Sequence, residues 1–313
     1  MKGRSKTNYY FSYNERLNLQ KINLLFIPFL FFIFSCSASN KEQLKDIVDS
    51  SRLATPNLYL KKLSESASYT TDTELHKIQL ILTEGSTINI YYQTDNNLNL
   101  AINIANMVRE FHKTFTTLFT QLRPVTTNII LIDKNLFYIK TASPSWVQAL
   151  FYKEHIYIPT DDNKPIDYMK LYRSLKHEYS HAVIYALSSG SCPGWIDEGI
   201  AQWFEGVNIE TKRNVLKSWL KYRPLIPLKR LHKGFISLPP DKAQIGYAQS
   251  LFAVEDLIKS YGISRFNVFF QYIQVSYGFN RPFLKAFGIS EKNYEAKLDY
   301  RLRKWVMKKK KKS

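Results

Sequence analysis

The apolar positions of this chain first form one unbroken block and then settle into alternating and helical spacings. Ile22 to Phe34 is a thirteen-residue run, almost wholly apolar, behind a basic leader. It falls short of the about 20 residues that a bilayer-crossing helix needs and has the length of a signal-peptide core. A polar stretch follows to about residue 75 and reads as a tether with one short helix around residues 43–63. From His76 the pattern turns regular. Ile78, Leu80 and Leu82 alternate with other residues, Glu84-Gly85 reads as a turn, and Ile88, Ile90 and Tyr92 alternate again, which predicts a hairpin. Leu100, Ile104, Met107, Val108, Phe111, Phe115 and Leu118 fall at helical spacing, and Arg123-Pro124 is the expected stop. Asn128–Asp133 and His155–Pro159 read as short strands, the second preceded by Trp146–Tyr152. Beyond Pro165 the spacing predicts helices over 166–189, 193–205, 211–222, 244–261, 264–276 and 291–306. Strands first and helices afterwards predict an α+β fold: a small N-terminal mixed β-sheet with a helix pair, then a mostly helical C-terminal part.

Composition narrows this picture. At 313 residues, 45% hydrophobic and 15% aromatic, the chain buries a real core and is not disordered. The net charge of +18 invites a nucleic-acid reading, but residues 1–35 carry +4 and residues 301–313 carry +8, which leaves +6 for the 265 residues between. Without a basic patch or a nucleic-acid motif in the body, no nucleic acid is expected as a partner. The excess sits in the leader and in the tail Lys308–Lys312, which reads as a solvated end, with attraction to anionic lipid as its functional alternative. The expected division is a signal peptide over 1–35, a tether over 36–75, one domain over 76–306 and a basic tail over 307–313. Ile33-Phe34-Ser35-Cys36 resembles the lipobox of bacterial lipoproteins, although Phe34 is bulky where a small residue is usual. That resemblance implies a chain exported and held at the membrane through a lipidated Cys36, facing the periplasm or the cell exterior. A plain secretory signal or an uncleaved anchor stands beside it and also exports the body. With Cys36 set aside, Cys192 is alone, and no disulfide within the chain is expected.

The chemistry concentrates in the helix expected at 166–189, which contains His177-Glu178-Tyr179-Ser180-His181. Histidines at i and i+4 share a helix face, so both imidazoles reach one ion. Zinc takes nitrogen ligands at about 2.0–2.1 Å and, when catalytic, three protein ligands plus water. Glu178 projects beside such an ion, where a general base belongs. Gly190 closes this helix, and Pro193-Gly194 opens the next, Trp195 to Glu205, which Gly206 can end. A helical hairpin returns the second helix along the first. Glu198, 17 residues after His181, is then the candidate third ligand. Metal ligands His177, His181 and Glu198, one zinc per chain and Glu178 as base are the resulting expectation.

HEYSH followed by PGWIDEGIAQWF resembles the peptidase MA-like zinc metallopeptidases, a gluzincin branch related to thermolysin and the membrane-alanyl aminopeptidases. In that family the second helix reads roughly Trp-x-x-Glu-Gly-x-Ala, matched by Trp195, Glu198, Gly199 and Ala201. Gly246-Tyr247-Ala248-Gln249-Ser250 resembles the family's Tyr-Ala-Gln-Ser helix, and the likeness extends over roughly residues 76–306. It implies a zincin-like fold, hydrolysis of a peptide or protein substrate, and Tyr247 as donor to the oxyanion. Gln202 departs from the family, which favours an acid one turn beyond the glutamate ligand, so imidazole orientation passes to Asp197 or Glu205. The aminopeptidase strand Gly-Ala-Met-Glu-Asn has no counterpart. The edge strand is expected within Trp146–Ile158, where Glu154 is a candidate amine anchor or a solvated charge. Endopeptidase is thus slightly favoured over aminopeptidase.

Other residues receive plainer readings. Trp195, Trp203 and Phe204 read as core, Cys192 as a buried thiol, and His155 and His232 as histidines near the site that bind no metal. The rival function is a catalytically inactive surface lipoprotein that uses the fold for binding or scaffolding. Hydrolysis of another amide, such as peptidoglycan stem peptides, remains a third reading. Oligomeric state is left open.

Overall fold

A computed structural model describes residues 76–308, apart from residues 121, 142, 144–146, 153, 162–163, 236–237 and 277. The expected signal peptide, Cys36, the tether with its helix, Trp146 and Lys309–Lys312 lie outside the described residues.

Five strands form one mixed sheet in the order β1-β2-β3-β5-β4. Strands β1 (His76–Ile81) and β2 (Thr87–Tyr92) make the expected antiparallel hairpin, with Ile78 opposite Ile90. Its turn bends through Glu84 and Gly85, at φ 54° and 72°. β2 runs parallel to β3 (Thr126–Asp133), and β3 parallel to β5 (His155–Thr160). β4 (Leu150–Tyr152) closes the edge antiparallel to β5. Because side chains alternate across a pleat, β3 and β5 serve two cores. Ile129, Leu131, Ile156 and Ile158 enter the main core, while Ile130, Ile132 and Tyr157 join a smaller cluster with Phe137, Val147 and Leu150.

The main core lies under α1 (Leu98–Leu118) and α3 (Tyr168–Ser188), the smaller under α2 (Lys134–Thr141). The remaining helices are α4 (Gly194–Glu205), α5 (Arg213–Leu220), α6 (Pro240–Tyr261), α7 (Arg265–Ile273), α8 (Asn280–Phe287) and α9 (Glu291–Met307). The α+β expectation, sheet first and helices after, is therefore what the chain adopts. Three details differ. α1 ends at Leu118, before Arg123-Pro124, where Phe119 turns extended. α2 was not foreseen, although Asp133 accepts a hydrogen bond from the Leu136 amide at 2.9 Å and so marks its start. α8 was hidden by Pro282, which a first helical turn tolerates.

Two contacts of this frame carry predictions. Gly199 lets α4 press against α6: a Cβ there would sit 2.5 Å from both the Ser250 carbonyl oxygen and Val254 Cγ2. Alanine gains up to about 1 kcal/mol of helix propensity over glycine. Overpacking a well-filled contact costs about 1–3 kcal/mol, and a helix backbone cannot swing aside. Gly199→Ala is expected to lose about 1–2 kcal/mol in denaturant melts. A gain in stability would refute the close packing. The second contact joins α1 to α3. Buried His112 meets Tyr179 Oη at 2.8 Å through Nδ1 and the Thr83 carbonyl at 3.4 Å through Nε2. Proton on Nε2 and lone pair on Nδ1 satisfy both partners in the neutral ring. Burial lowers the His112 pKa below the usual 6.5, outweighing the help of Thr83 and Glu84. Protonation thus penalises the folded state, and this contribution is complete above pH 6.5 and fades as pH falls through the depressed value. Wild type is expected to lose more stability than His112→Asn between pH 7 and 5, compared by thermal melts.

Candidate metal centre

Asp167 caps α3 by accepting from the Lys170 amide at 3.1 Å, and the helix then runs 21 residues through the expected motif. Leu171, Leu175, Tyr179, Val183 and Leu187 anchor one side of it in the core. His177 and His181 emerge one turn apart, both buried. Ser189 and Gly190, at φ 50° and 72°, end the helix. Pro193 then leads into α4, which packs on α3 and ends at Gly206 with φ 89°. This short return brings Glu198 to the two imidazoles.

The two Nε2 atoms face each other at 3.1 Å. Glu198 Oε1 lies 3.8 Å from His177 Nε2, and Oε2 lies 3.9 Å from His181 Nε2. Ligand atoms of all three residues fall within 4.8 Å of one another. Glu198 Oε1 is buried without a hydrogen-bond partner. A buried carboxylate oxygen with no donor is costly, and two imidazole nitrogens at this distance hold either a shared proton or a metal cation between them. Two nitrogens and a carboxylate are also zinc's catalytic donor set. The residues fit such an ion.

The outer atoms of both rings are held. His177 Nδ1 bonds Glu205 Oε2 at 3.1 Å, and His181 Nδ1 bonds Asp197 Oδ1 at 2.8 Å. Each imidazole has its own acid, and Gln202 serves neither. Its amide donates to the Tyr247 carbonyl at 3.0 Å, joining α4 to α6. Burial, with His181 beside it, pushes the His177 pKa down to about 3. For His181 burial also opposes charge, but Asp197, Glu178 and Glu198 together overcome it and raise the value to about 10. Burial lifts Glu198 well above the carboxylate range and Glu205 to about 7, where Arg173, Lys212 and Lys176 pull against it. Carboxylates that orient ligand imidazoles commonly contribute 10- to 100-fold to metal affinity. Glu205→Gln and Asp197→Asn are each expected to weaken zinc by about that factor in chelator competition. Unchanged affinity in both would show the pairs to be incidental.

Glu178 is buried too, and its Oε2 accepts the Phe151 amide at 2.7 Å. Burial raises its pKa, against the pull of the two histidines and of the Phe151 amide. Tyr247 is buried on α6 and stacks on Phe235 at 4.3 Å. Burial, then the charges of Glu198 and Glu178, drive its hydroxyl well up, so it stays protonated beside those carboxylates.

Some candidates fall elsewhere. His155 lies 3.4 Å from Asn128 Nδ2 and stacks on Tyr157, and His232 bonds Glu291 at 2.6 Å. Glu154 sits exposed in the β4–β5 turn at φ 67°. Trp195 is wholly buried and Phe204 nearly so, while Trp203 is half-buried against the core. Cys192 is half-buried, and burial raises its thiol pKa. Two contributors were not foreseen. Phe151 reaches Glu178 from the sheet edge, a pairing with no local signal. Gln249 accepts from the Ile226 amide at 3.0 Å and donates to its carbonyl at 2.7 Å, fixing the segment before α6.

Residues 121–307, more than half of the chain, match the family model described as the Peptidase MA superfamily. The chain belongs to the Peptidase MA superfamily. No curated protein matches it. The superfamily points to a peptidase, and the His177/His181/Glu198 group is compatible with a metallopeptidase. The matched stretch begins after β1, β2 and α1, yet these pack into the same sheet and core as the metal group.

Proposed function

We propose that the protein is a zinc metallopeptidase of the gluzincin type, with His177, His181 and Glu198 holding the ion. The observation that carries this reading is the partnerless buried Glu198 Oε1 beside two facing imidazole nitrogens. Zinc, when bound, supplies a Lewis acid and brings the pKa of a bound water towards about 7. Glu178 takes a proton as the water oxygen bonds to the scissile carbonyl carbon, then passes it to the amine nitrogen as the C–N bond breaks. Tyr247, held protonated, donates to the carbonyl oxygen as that oxygen gains charge. β4 contributes Leu150, Phe151 and Tyr152 and no acid to hold a free amine, which supports an endopeptidase. We further propose export and a membrane tether at Cys36, outside the described residues. Among the described residues no helix is long and apolar enough to cross a membrane.

The test is metal content and cleavage of an unstructured protein by the purified chain, before and after chelation. One zinc per chain, and cleavage lost with the metal and restored by it, support the proposal. No metal at neutral pH with zinc supplied would overturn it.

A further inference from the structure

We propose that Phe151 is the positioning residue of this site, acting on Glu178 through its backbone and on His181 through its ring. This rests on the hydrolytic reading above. β4 ends the sheet, with Phe151 in register with Ile156. The Phe151 amide does not bond into the sheet: it donates outward to Glu178 Oε2 at 2.7 Å. Meanwhile the ring lies against the His181 imidazole, with centroids 6.3 Å apart and planes 22° from parallel. Tyr185 closes on the same ring edge-on at 6.4 Å. His181 is thus held on its Nδ1 side by Asp197 and beside its ring face by Phe151.

A glutamate side chain has three torsions, and burial alone does not choose among their combinations. An amide fixed in a strand does, because it engages one carboxylate oxygen in one direction. With Oε2 so held, the carboxylate stays in register with the imidazoles while its other oxygen is left to exchange a proton. A misplacement of about 1 Å at a reacting group costs up to about 100-fold in rate, so a rigid donor at this point matters.

Three variants and one spectrum test the idea. Phe151→Pro deletes the amide hydrogen where an edge strand tolerates proline, since that N–H faces away from the neighbouring strand. It is expected to lower kcat about 10- to 100-fold, with KM changed less than about threefold and zinc still bound at one per chain. In the full-length chain labelled with 15N-phenylalanine, the Phe151 amide is the resonance missing from Phe151→Leu. In metal-free protein it is expected to move upfield and exchange faster with solvent when Glu178 is replaced by Ala. A resonance indifferent to Glu178→Ala overturns the proposal, as does a zinc-loaded Phe151→Pro enzyme with wild-type kcat. The amide readout needs neither metal nor substrate, so it judges Phe151 even if proline prevents folding. Failure of the peptidase reading shows separately, as a wild type without zinc or without Glu178-dependent cleavage.

Discussion

Glu178→Gln is expected to lower kcat for an unstructured protein substrate by about 10²- to 10⁴-fold, the usual contribution of a general acid–base group. Glutamine keeps the shape and an oxygen to accept the Phe151 amide at Oε2's position, so the fold is expected to stand. It removes only the ability to take a proton. Zinc content and KM should therefore stay close to wild type, because the proposed ligands His177, His181 and Glu198 are untouched. Burial raises the Glu178 pKa above the ordinary carboxylate range, which brings a base nearer to the working pH and eases the return of the proton to the leaving amine. Kinetics of the zinc-loaded variant decide the matter. Activity above about a tenth of wild type would remove Glu178 from the mechanism.

Trp195→Ala is expected to be the most destabilising single change, at about 3–5 kcal/mol by the measure of buried aromatic-to-alanine substitutions. Trp195 is fully buried at the start of α4. It stacks on Tyr294 at 6.3 Å and meets Phe283 and Phe279 edge-on at 6.1 and 6.3 Å. Its indole N–H donates to Glu291 Oε1 at 3.1 Å, an oxygen that also bonds His232 at 2.6 Å. Alanine would open a cavity and strip one partner from a buried carboxylate. Trp195 stands one turn before Glu198, so the loosened helix end is expected to weaken zinc as well. At about 2–4 °C per kcal/mol, the melting temperature should fall by about 6–20 °C. Trp195→Phe, which refills most of the volume, should cost clearly less. A drop of only a few degrees for alanine would show that α4 is held by other contacts.

How much of this was visible in the sequence depends on how far each interaction reaches along the chain. The His177/His181 pair declared itself because helical spacing places i and i+4 on one face. Glu198 followed because few residues separate the helices, and Pro193 and Gly206 mark the second one. The absence of an acid at Gln202 was visible too, but not its remedy. Asp197 and Glu205 were both candidates, and only the placement of α4 against α3 assigned one to each ring. Gln249 lay within a familiar motif without any sign that it clamps Ile226.

Phe151 lies 27 residues before Glu178, and nothing nearby distinguishes it from the other 19 phenylalanines. The order β1-β2-β3-β5-β4 was likewise beyond reach, because parallel pairing depends on the paths of α1 and α2 over the sheet. The sequence by itself determined the candidate donor set, the candidate base and the α+β class, since these follow from periodicity, capping and short loops. Only the tertiary structure decided which groups surround that set: the two acids behind the imidazoles, the strand amide on Glu178 and the aromatic anchor beneath α4. Those contacts join segments tens of residues apart, and their distances exist only once the sheet and helices are packed.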